Sequence, residues 1–385
     1  MLDQPCAILV FHNNNINIGF FIVYTECVLK YLLSLVLVLA AFQTNAAGDY
    51  ITYLASTEPW KSYVPKNFEL VKKLGDSAFF WSMEAPPEEF PESKILTKTP
   101  YLLFKPNVIL DAERKTTNNI LIYRTRYTID AKSRRLVQKR DDFFNRNLIM
   151  LGCSFTFGAG LADDETIPFY LSNYRTNYNV FNMGIDGAGA NDVLDDLRSF
   201  KRFDDISNKG GLVVYTAVSD HIQRSICNLN CYGRSYRDWV LKKSNYQYDK
   251  ESQTLVNRGS FEDSRPITGM IFGILAKIGL IDSVSFPLTV TDEQLELYVL
   301  MVEDMKKIAK EKLNSEFYFV FYPGTYEEWG RIKPLLKKYN IKYLDLSKVD
   351  FKTATNKRHS IILDGHPTKL ANYLYASLLH YQLPK

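Results

Sequence analysis

The chain has 385 residues, 46% of them hydrophobic and 23% charged, an ordinary make-up for a globular protein with a sizeable core. Its formal net charge of +4 is spread along the sequence without an arginine and lysine stripe, which excludes a dedicated nucleic-acid surface. The length allows two or three domains.

The first expected element is a leader. Tyr31 to Phe42 reads YLLSLVLVLAAF, about a dozen residues. That suits the core of a signal peptide and falls short of the roughly twenty residues a spanning helix needs. Thr44, Ala46 and Ala47 follow as small residues for cleavage, so residues 1–47 are expected to be a leader and the mature chain exported, periplasmic or secreted. Membrane association is expected only through an uncleaved leader. The stretch before Val28 carries another apolar patch and Glu26, unusual for a signal peptide, and suggests a true start near Val28.

Residues 48–146 are broken by prolines from Pro59 to Pro106, which argues against long helices. Tyr123, Thr125, Tyr127 and Ile129 alternate with Arg124, Arg126 and Thr128, the period of a half-buried strand, and Asp130 to Ser133 supplies a turn. A small β-rich accessory region is expected, with Trp60, Phe79, Phe80 and Trp81 either in its core or exposed to bind substrate.

From residue 147 to 385 strand and helix patterns alternate. Apolar runs at Leu148–Leu151, Asn179–Met183, Leu212–Thr216, Phe317–Tyr322 and Ile341–Leu346 read as strands. Helical stretches lie at Thr166–Tyr174, about Asp192 to Phe200, behind the capping box Thr291-Asp292-Glu293-Gln294, and at Thr368–Leu379. This order implies an α/β fold, a three-layer parallel sheet with helices on both faces. A long insertion at about 222–290 is expected to form a lid or substrate wall, and its apolar run Met270–Ile281 reads as a core helix. Cys227 and Cys231 in this insertion allow a short disulfide in an oxidising compartment, or two free thiols.

The chemistry gathers at two distant places. The strand at Leu148 stops at Gly152, and Ser154 lies just beyond, where an open α/β sheet faces its ligand crevice. A serine there serves equally as a helix cap. Near the C-terminus Asp364-Gly365-His366-Pro367 adds a carboxylate and an imidazole, the remaining parts of an acyl-transfer site. Cys153, next to Ser154, is expected to face the core if the serine faces the crevice.

At these residues the sequence resembles the SGNH (GDSL-like) hydrolase superfamily of serine esterases and deacylases. The first block appears as Gly152-Cys153-Ser154-Phe155-Thr156 and the last as Asp364-Gly365-His366-Pro367. The resemblance runs from about Asn147 to the C-terminus. It implies a flavodoxin-like sheet and an ester hydrolase with Ser154 as nucleophile, His366 as base and Asp364 as its partner, acting on an acyl ester of carbohydrate or lipid, with no metal or cofactor. It also implies an oxyanion hole formed by the amides of Ser154 and Gly184, the latter in the block Asn182-Met183-Gly184. Two departures stand out. Ser219 occupies the place of the asparagine expected after the third strand, which leaves Ser219, or Asn191 from Gly189-Ala190-Asn191-Asp192, as the third donor. Leu363 occupies the usual position of the acid, three before the histidine, so Asp364 must act from two before. His221 reads either as an active-site neighbour or as part of the first turn of the insertion helix. Two alternatives to hydrolysis are an O-acyltransferase acting on a surface polysaccharide and a carbohydrate-binding or assembly protein of the same fold that has lost turnover.

Nucleotide sites are disfavoured. Gly184 to Gly189 reverses the spacing of a dinucleotide loop, and GCSFTFGAG lacks the Gly-Lys-Ser/Thr of a phosphate loop. Thr156 stands where the elbow of an α/β-hydrolase has its second glycine.

Overall fold

A computed structural model describes residues 103–115, 121–137, 146–227, 237–267, 270–271, 274, 290–324, 326–351, 359–361 and 364–385. The leader, the four aromatics Trp60, Phe79, Phe80 and Trp81, and Cys231, on which the choice between a disulfide and free thiols depends, lie outside these residues. Among the described residues no helix is long and apolar enough to cross a membrane.

The first elements are two antiparallel strands, β1 (Val108–Lys115) and β2 (Leu121–Ile129). Val108, Leu110, Ala112 and Arg114 pair with Ile129, Tyr127, Thr125 and Tyr123 on one face. The other face carries the ion pairs Asp111–Arg126 and Glu113–Arg124. The hairpin is therefore amphipathic, with its inner face closing over Phe157 and Ala159.

The central sheet takes β3 (Arg146–Gly152), β4 (Tyr178–Gly184), β5 (Gly211–Ala217), β8 (Ser315–Phe321) and β9 (Lys342–Asp345) in the order β4-β3-β5-β8-β9, all parallel. Side chains alternate between its faces. Ile149 and Leu151 of β3, Val213 and Tyr215 of β5, and Phe317 and Phe319 of β8 enter one core. Leu148, Met150, Leu212, Val214 and Val320 enter the other. Strands buried on both sides read in the sequence as unbroken apolar runs, because each face supplies alternate residues.

Ser154–Phe157 forms the short α1, followed by α2 (Ile167–Tyr174), α3 (Ala190–Ser199) and α4 (Asp220–Ile226). Later come α5 (Arg237–Leu241), α6 (Phe261–Ser264), α7 (Asp292–Leu313), α8 (Glu327–Lys338) and α9 (Lys369–Gln382). The first core receives α3, α7 and α8; the second receives α2 and α9, which makes three layers. Strand β4 lies on one side of β3 and β5 on the other, so the chain reverses direction across the sheet at β3. In such sheets the ligand crevice opens beyond the carboxyl ends of the strands at that reversal. Residue 154 follows β3 directly.

Two parts of the chain are joined to this frame by charged side chains. The insertion contains the antiparallel pair β6 (Ser244–Asp249) and β7 (Thr254–Ser260). It is held to α3 by the fully buried pair Lys243–Asp192 and by the Ser244 and Tyr246 hydroxyls donating to Asp195. The described residues of its apolar run, Met270, Ile271 and Ile274, are exposed, in contrast to the core helix expected from composition. The N-terminal hairpin is anchored by Arg134, which grips Asp205 through both guanidinium branches at 2.7 and 2.8 Å, and by the backbone of Arg135, which pairs with that of Asn182 in β4.

Candidate active site

The turn out of β3 depends on glycine. Gly152 has φ of +152°, and a Cβ there would lie 2.3 Å from Thr156 Oγ1 and 3.0 Å from the Thr216 carbonyl oxygen. Beyond it Cys153 is the N-cap of α1 and Ser154 its first residue. The two side chains remain within hydrogen-bond reach of each other but serve different surroundings. Cys153 joins the core on the α3 side, where burial pushes its thiol up, and Ser154 meets the C-terminal loop.

That loop is a tight turn before α9. Ile361 N–H donates to the His366 carbonyl at 2.7 Å, and Gly365 N–H donates to the Ile361 carbonyl at 2.9 Å. Gly365 adopts the left-handed conformation, with φ of +86°. This reversal brings the residues on either side of it together: Asp364 Oδ1 accepts the His366 backbone N–H at 3.2 Å and also bonds His366 Nδ1. A carboxylate two positions before the histidine thereby reaches the ring. Thr368 Oγ1 then caps α9 by accepting the Ala371 N–H at 3.3 Å.

Across the crevice, His366 Nε2 lies 2.8 Å from Ser154 Oγ. With Nδ1–H donating to the carboxylate, Nε2 is left to accept from the serine hydroxyl. Ser154, Asp364 and His366 are exposed by only 3%, 5% and 3%. Phe155 packs beside the imidazole, with ring centroids 5.6 Å apart, and Tyr322 backs Phe155 at 5.0 Å. Burial pushes the Asp364 carboxyl up, but the His366 hydrogen bond and the charges of His366 and Arg114 outweigh it and hold the group below the usual carboxylate range. Arg114 Nη1 stands 2.6 Å from Asp364 Oδ2.

The proposed oxyanion donors are arranged differently from one another. Ser154 is the first residue of α1, whose later amides, of Thr156 and Phe157, donate to the Cys153 carbonyl at 3.0 and 2.9 Å. Gly184 N–H donates to Asn182 Oδ1 at 3.0 Å. The absence of a side chain at Gly184 answers to packing, since a Cβ would stand 2.2 Å from the Phe157 backbone nitrogen. Asn191 is fully buried at the start of α3, and its Nδ2 donates to the carbonyls of Ser244, at 2.9 Å, and Arg224, at 3.4 Å. The Asn191 amide nitrogen is thus engaged by backbone carbonyls of the insertion. Ser219 is the N-cap of α4 and faces the Tyr326 hydroxyl.

His221 belongs to the first turn of α4. It is completely buried, its Nδ1 is 2.8 Å from the Tyr215 hydroxyl, and burial holds the imidazole well below its ordinary pKa. Arg114 was not among the residues singled out from the sequence, although its cross-strand partner Tyr123 was read there as part of a strand. The available signal was the alternation Val108, Leu110, Ala112, Arg114, which sets the arginine on the inward face of a strand.

No protein-family model matches the sequence, and no curated protein matches it. Among solved structures the chain is similar to a protein described as lipolytic and of the G-D-S-L family from Desulfitobacterium hafniense. That similarity has 14% identity and a TM-score of 0.32, covering 62% of this chain and 98% of that one. It is also similar to an acetyl xylan esterase from the rumen bacterium Butyrivibrio proteoclasticus, at 10% identity and a TM-score of 0.37. Here the match covers 64% of this chain and 65% of the other, under two thirds of the esterase's length.

Proposed function

We propose that the protein is an SGNH-type serine hydrolase that cleaves carboxylic esters. The observation that carries this reading is the unbroken relay from Ser154 Oγ to His366 Nε2, at 2.8 Å, and from His366 Nδ1 to the buried Asp364 carboxylate. In the reading, Ser154 Oγ attacks the ester carbonyl while His366 Nε2 takes its proton. Asp364 fixes the imidazole tautomer and stabilises the imidazolium. The tetrahedral oxyanion is received by the Ser154 amide, with Gly184 contributing once its N–H is released from or shared with Asn182, and Ser219 as the proposed third donor. The carbonyl–oxygen bond to the alcohol then breaks as His366 returns the proton to the leaving oxygen. A water, deprotonated by the same nitrogen, frees the acid and regenerates Ser154.

The substrate in this reading is an O-acyl ester of a carbohydrate or lipid, met outside the cytoplasm after the leader is removed. Hydrolysis of p-nitrophenyl acetate by the purified mature chain tests the chemistry. Wild type should turn over and Ser154→Ala should not; turnover surviving in the alanine variant removes the assignment. Cell fractionation tests export.

A second reading, a carbohydrate-binding or assembly protein of the same fold, is favoured by two observations: the Gly184 amide is already bonded, and serine stands at residue 219 where the resemblance implies asparagine. Polysaccharide binding with no ester cleavage and no reaction with a fluorophosphonate would select it.

A further inference from the structure

The N-terminal hairpin contributes a charge to the centre of the site. Arg114 lies on the inward face of β1, directly across from Tyr123 of β2, and its guanidinium meets Asp364 Oδ2 at 2.6 Å. The Asp364 side chain is fully buried and that of Arg114 only 19% exposed. Oδ1 is occupied twice over by His366, through its backbone N–H and its ring. Oδ2 has no well-aligned hydrogen bond, so the arginine acts on it mainly as a close charge. The hairpin that carries Arg114 is itself pinned beside the nucleophile. Arg135, 1% exposed, donates to the carbonyls of Phe157, Gly158 and Leu161 in the segment after Ser154.

We infer that Arg114 is a positioning residue of the Ser154, His366 and Asp364 site: it keeps the Asp364 carboxylate ionised and turned so that Oδ1 faces the imidazole. The inference rests on the hydrolase reading of that site. A buried carboxylate without a compensating charge drifts toward its neutral form and ceases to be a pure acceptor. A neutral or rotated Asp364 lets the imidazole turn, and a displacement of about 1 Å at the base costs on the order of a hundredfold in rate. Among the described residues, the charged and titratable groups facing the carboxylate and imidazole are Arg114 of β1, Tyr123 of β2 and Ser154 after β3; behind them Asp186 acts on Tyr123 and Cys153, and Arg224 of α4 on Cys153. Arg114 is the cation that pairs with the carboxylate among the described residues. Removing it takes away the positive charge that meets Oδ2 of the carboxylate bonded to the imidazole.

The test compares wild type, Arg114→Met, Arg114→Gln and Arg114→Lys in the full mature chain. Thermal melts report folding, p-nitrophenyl acetate hydrolysis reports kcat, KM and the pH profile, and a fluorophosphonate probe reports the labelling rate at Ser154. The Met and Gln variants should lose about ten- to a hundredfold in kcat, with KM within about threefold. Their acidic limb should move up by about half a pH unit or more, the scale of one unit charge a few ångströms away in a partly screened site. The Lys variant, which keeps the charge, should hold its acidic limb near that of wild type and recover most of kcat. Met and Gln variants with kcat within twofold of wild type and an unmoved acidic limb overturn the inference. So does a rise in KM alone, which would assign Arg114 to substrate binding, or a folded Lys variant as impaired as Met. If the neutral variants do not fold, the Lys variant decides. A wild type that is not labelled at Ser154 ends the hydrolase reading itself; equal labelling of wild type and Arg114→Met ends only the role of Arg114.

Discussion

Replacing Arg135 with alanine should unfasten the N-terminal hairpin from the nucleophile segment. Its guanidinium donates to three backbone carbonyls, with Phe157 at 3.1 Å and Gly158 at 2.7 Å, and to Asp163 Oδ1 at 2.9 Å. It also stacks over the rings of Tyr127 and Phe157, 4.3 and 4.9 Å from their centroids. Removing one member of a buried charged network costs about 3–5 kcal/mol, because the partners stay desolvated. The acceptors after Ser154 are buried carbonyls, each costing about 1–3 kcal/mol when orphaned. Asp163 offsets part of the sum, since its side chain is 29% exposed and hydrates. We expect a loss of about 3–5 kcal/mol for Arg135→Ala, or a Tm lower by about 6–20 °C at the 2–4 °C per kcal/mol of a domain this size. Arg135→Lys should fall between, because an ammonium is a single point of charge and not a fork. Urea and thermal unfolding followed by circular dichroism measure it. A change below about 1 kcal/mol in the alanine variant would refute the reasoning.

Other consequences are as direct. Gly152→Ala should lower stability by about 1–3 kcal/mol through backbone strain alone, and kcat on the order of a hundredfold as Ser154 shifts; an alanine variant with wild-type kcat contradicts the geometry of the turn. Asp364→Asn should reduce kcat by about a thousandfold or more, read from p-nitrophenyl acetate hydrolysis at saturating substrate. Because Asp364 is held below its usual carboxylate range, its contribution to stability is full above about pH 4 and lost as the pH falls through the lower folded value. The stability gap between wild type and Asp364→Asn in urea should therefore close below about pH 4, and a gap constant down to pH 2 would count against the buried ionised carboxylate. Asn191→Ala should cost about 1–3 kcal/mol in stability with kcat within threefold, whereas an oxyanion donor would cost about a hundredfold in kcat.

The sheet was legible because its strands are buried on both faces: Leu148 and Met150 fill one core while Ile149 and Leu151 fill the other, leaving no polar position in the run. The long helix α7 was legible through its cap, where Thr291 Oγ1 accepts the Gln294 N–H at 3.2 Å and Gln294 Oε1 accepts the Thr291 N–H at 3.0 Å. Ser154 could be picked out because it lies two residues past Gly152, where the strand stops, and Asp364 and His366 because they flank Gly365. Arg114 could not. Its sequence neighbours, Asp111 and Glu113, are polar on the outer face of β1, and its function arises from a contact with the far end of the chain. Nor does the motif around Gly184 reveal whether its amide meets a substrate or Asn182, since that depends on a side-chain rotamer two residues earlier. The apolar stretch at Met270 looked like core because composition alone carries no information on which way a helix faces.

Mass-spectrometric mapping of the adduct formed with a fluorophosphonate tests the central claim most directly. The relay from Ser154 through His366 to Asp364 requires a single adduct on the peptide containing Ser154, formed by wild type and lost or greatly slowed in His366→Gln. No adduct, an adduct elsewhere, or equal labelling of the His366 variant would show that the serine is not activated by this histidine.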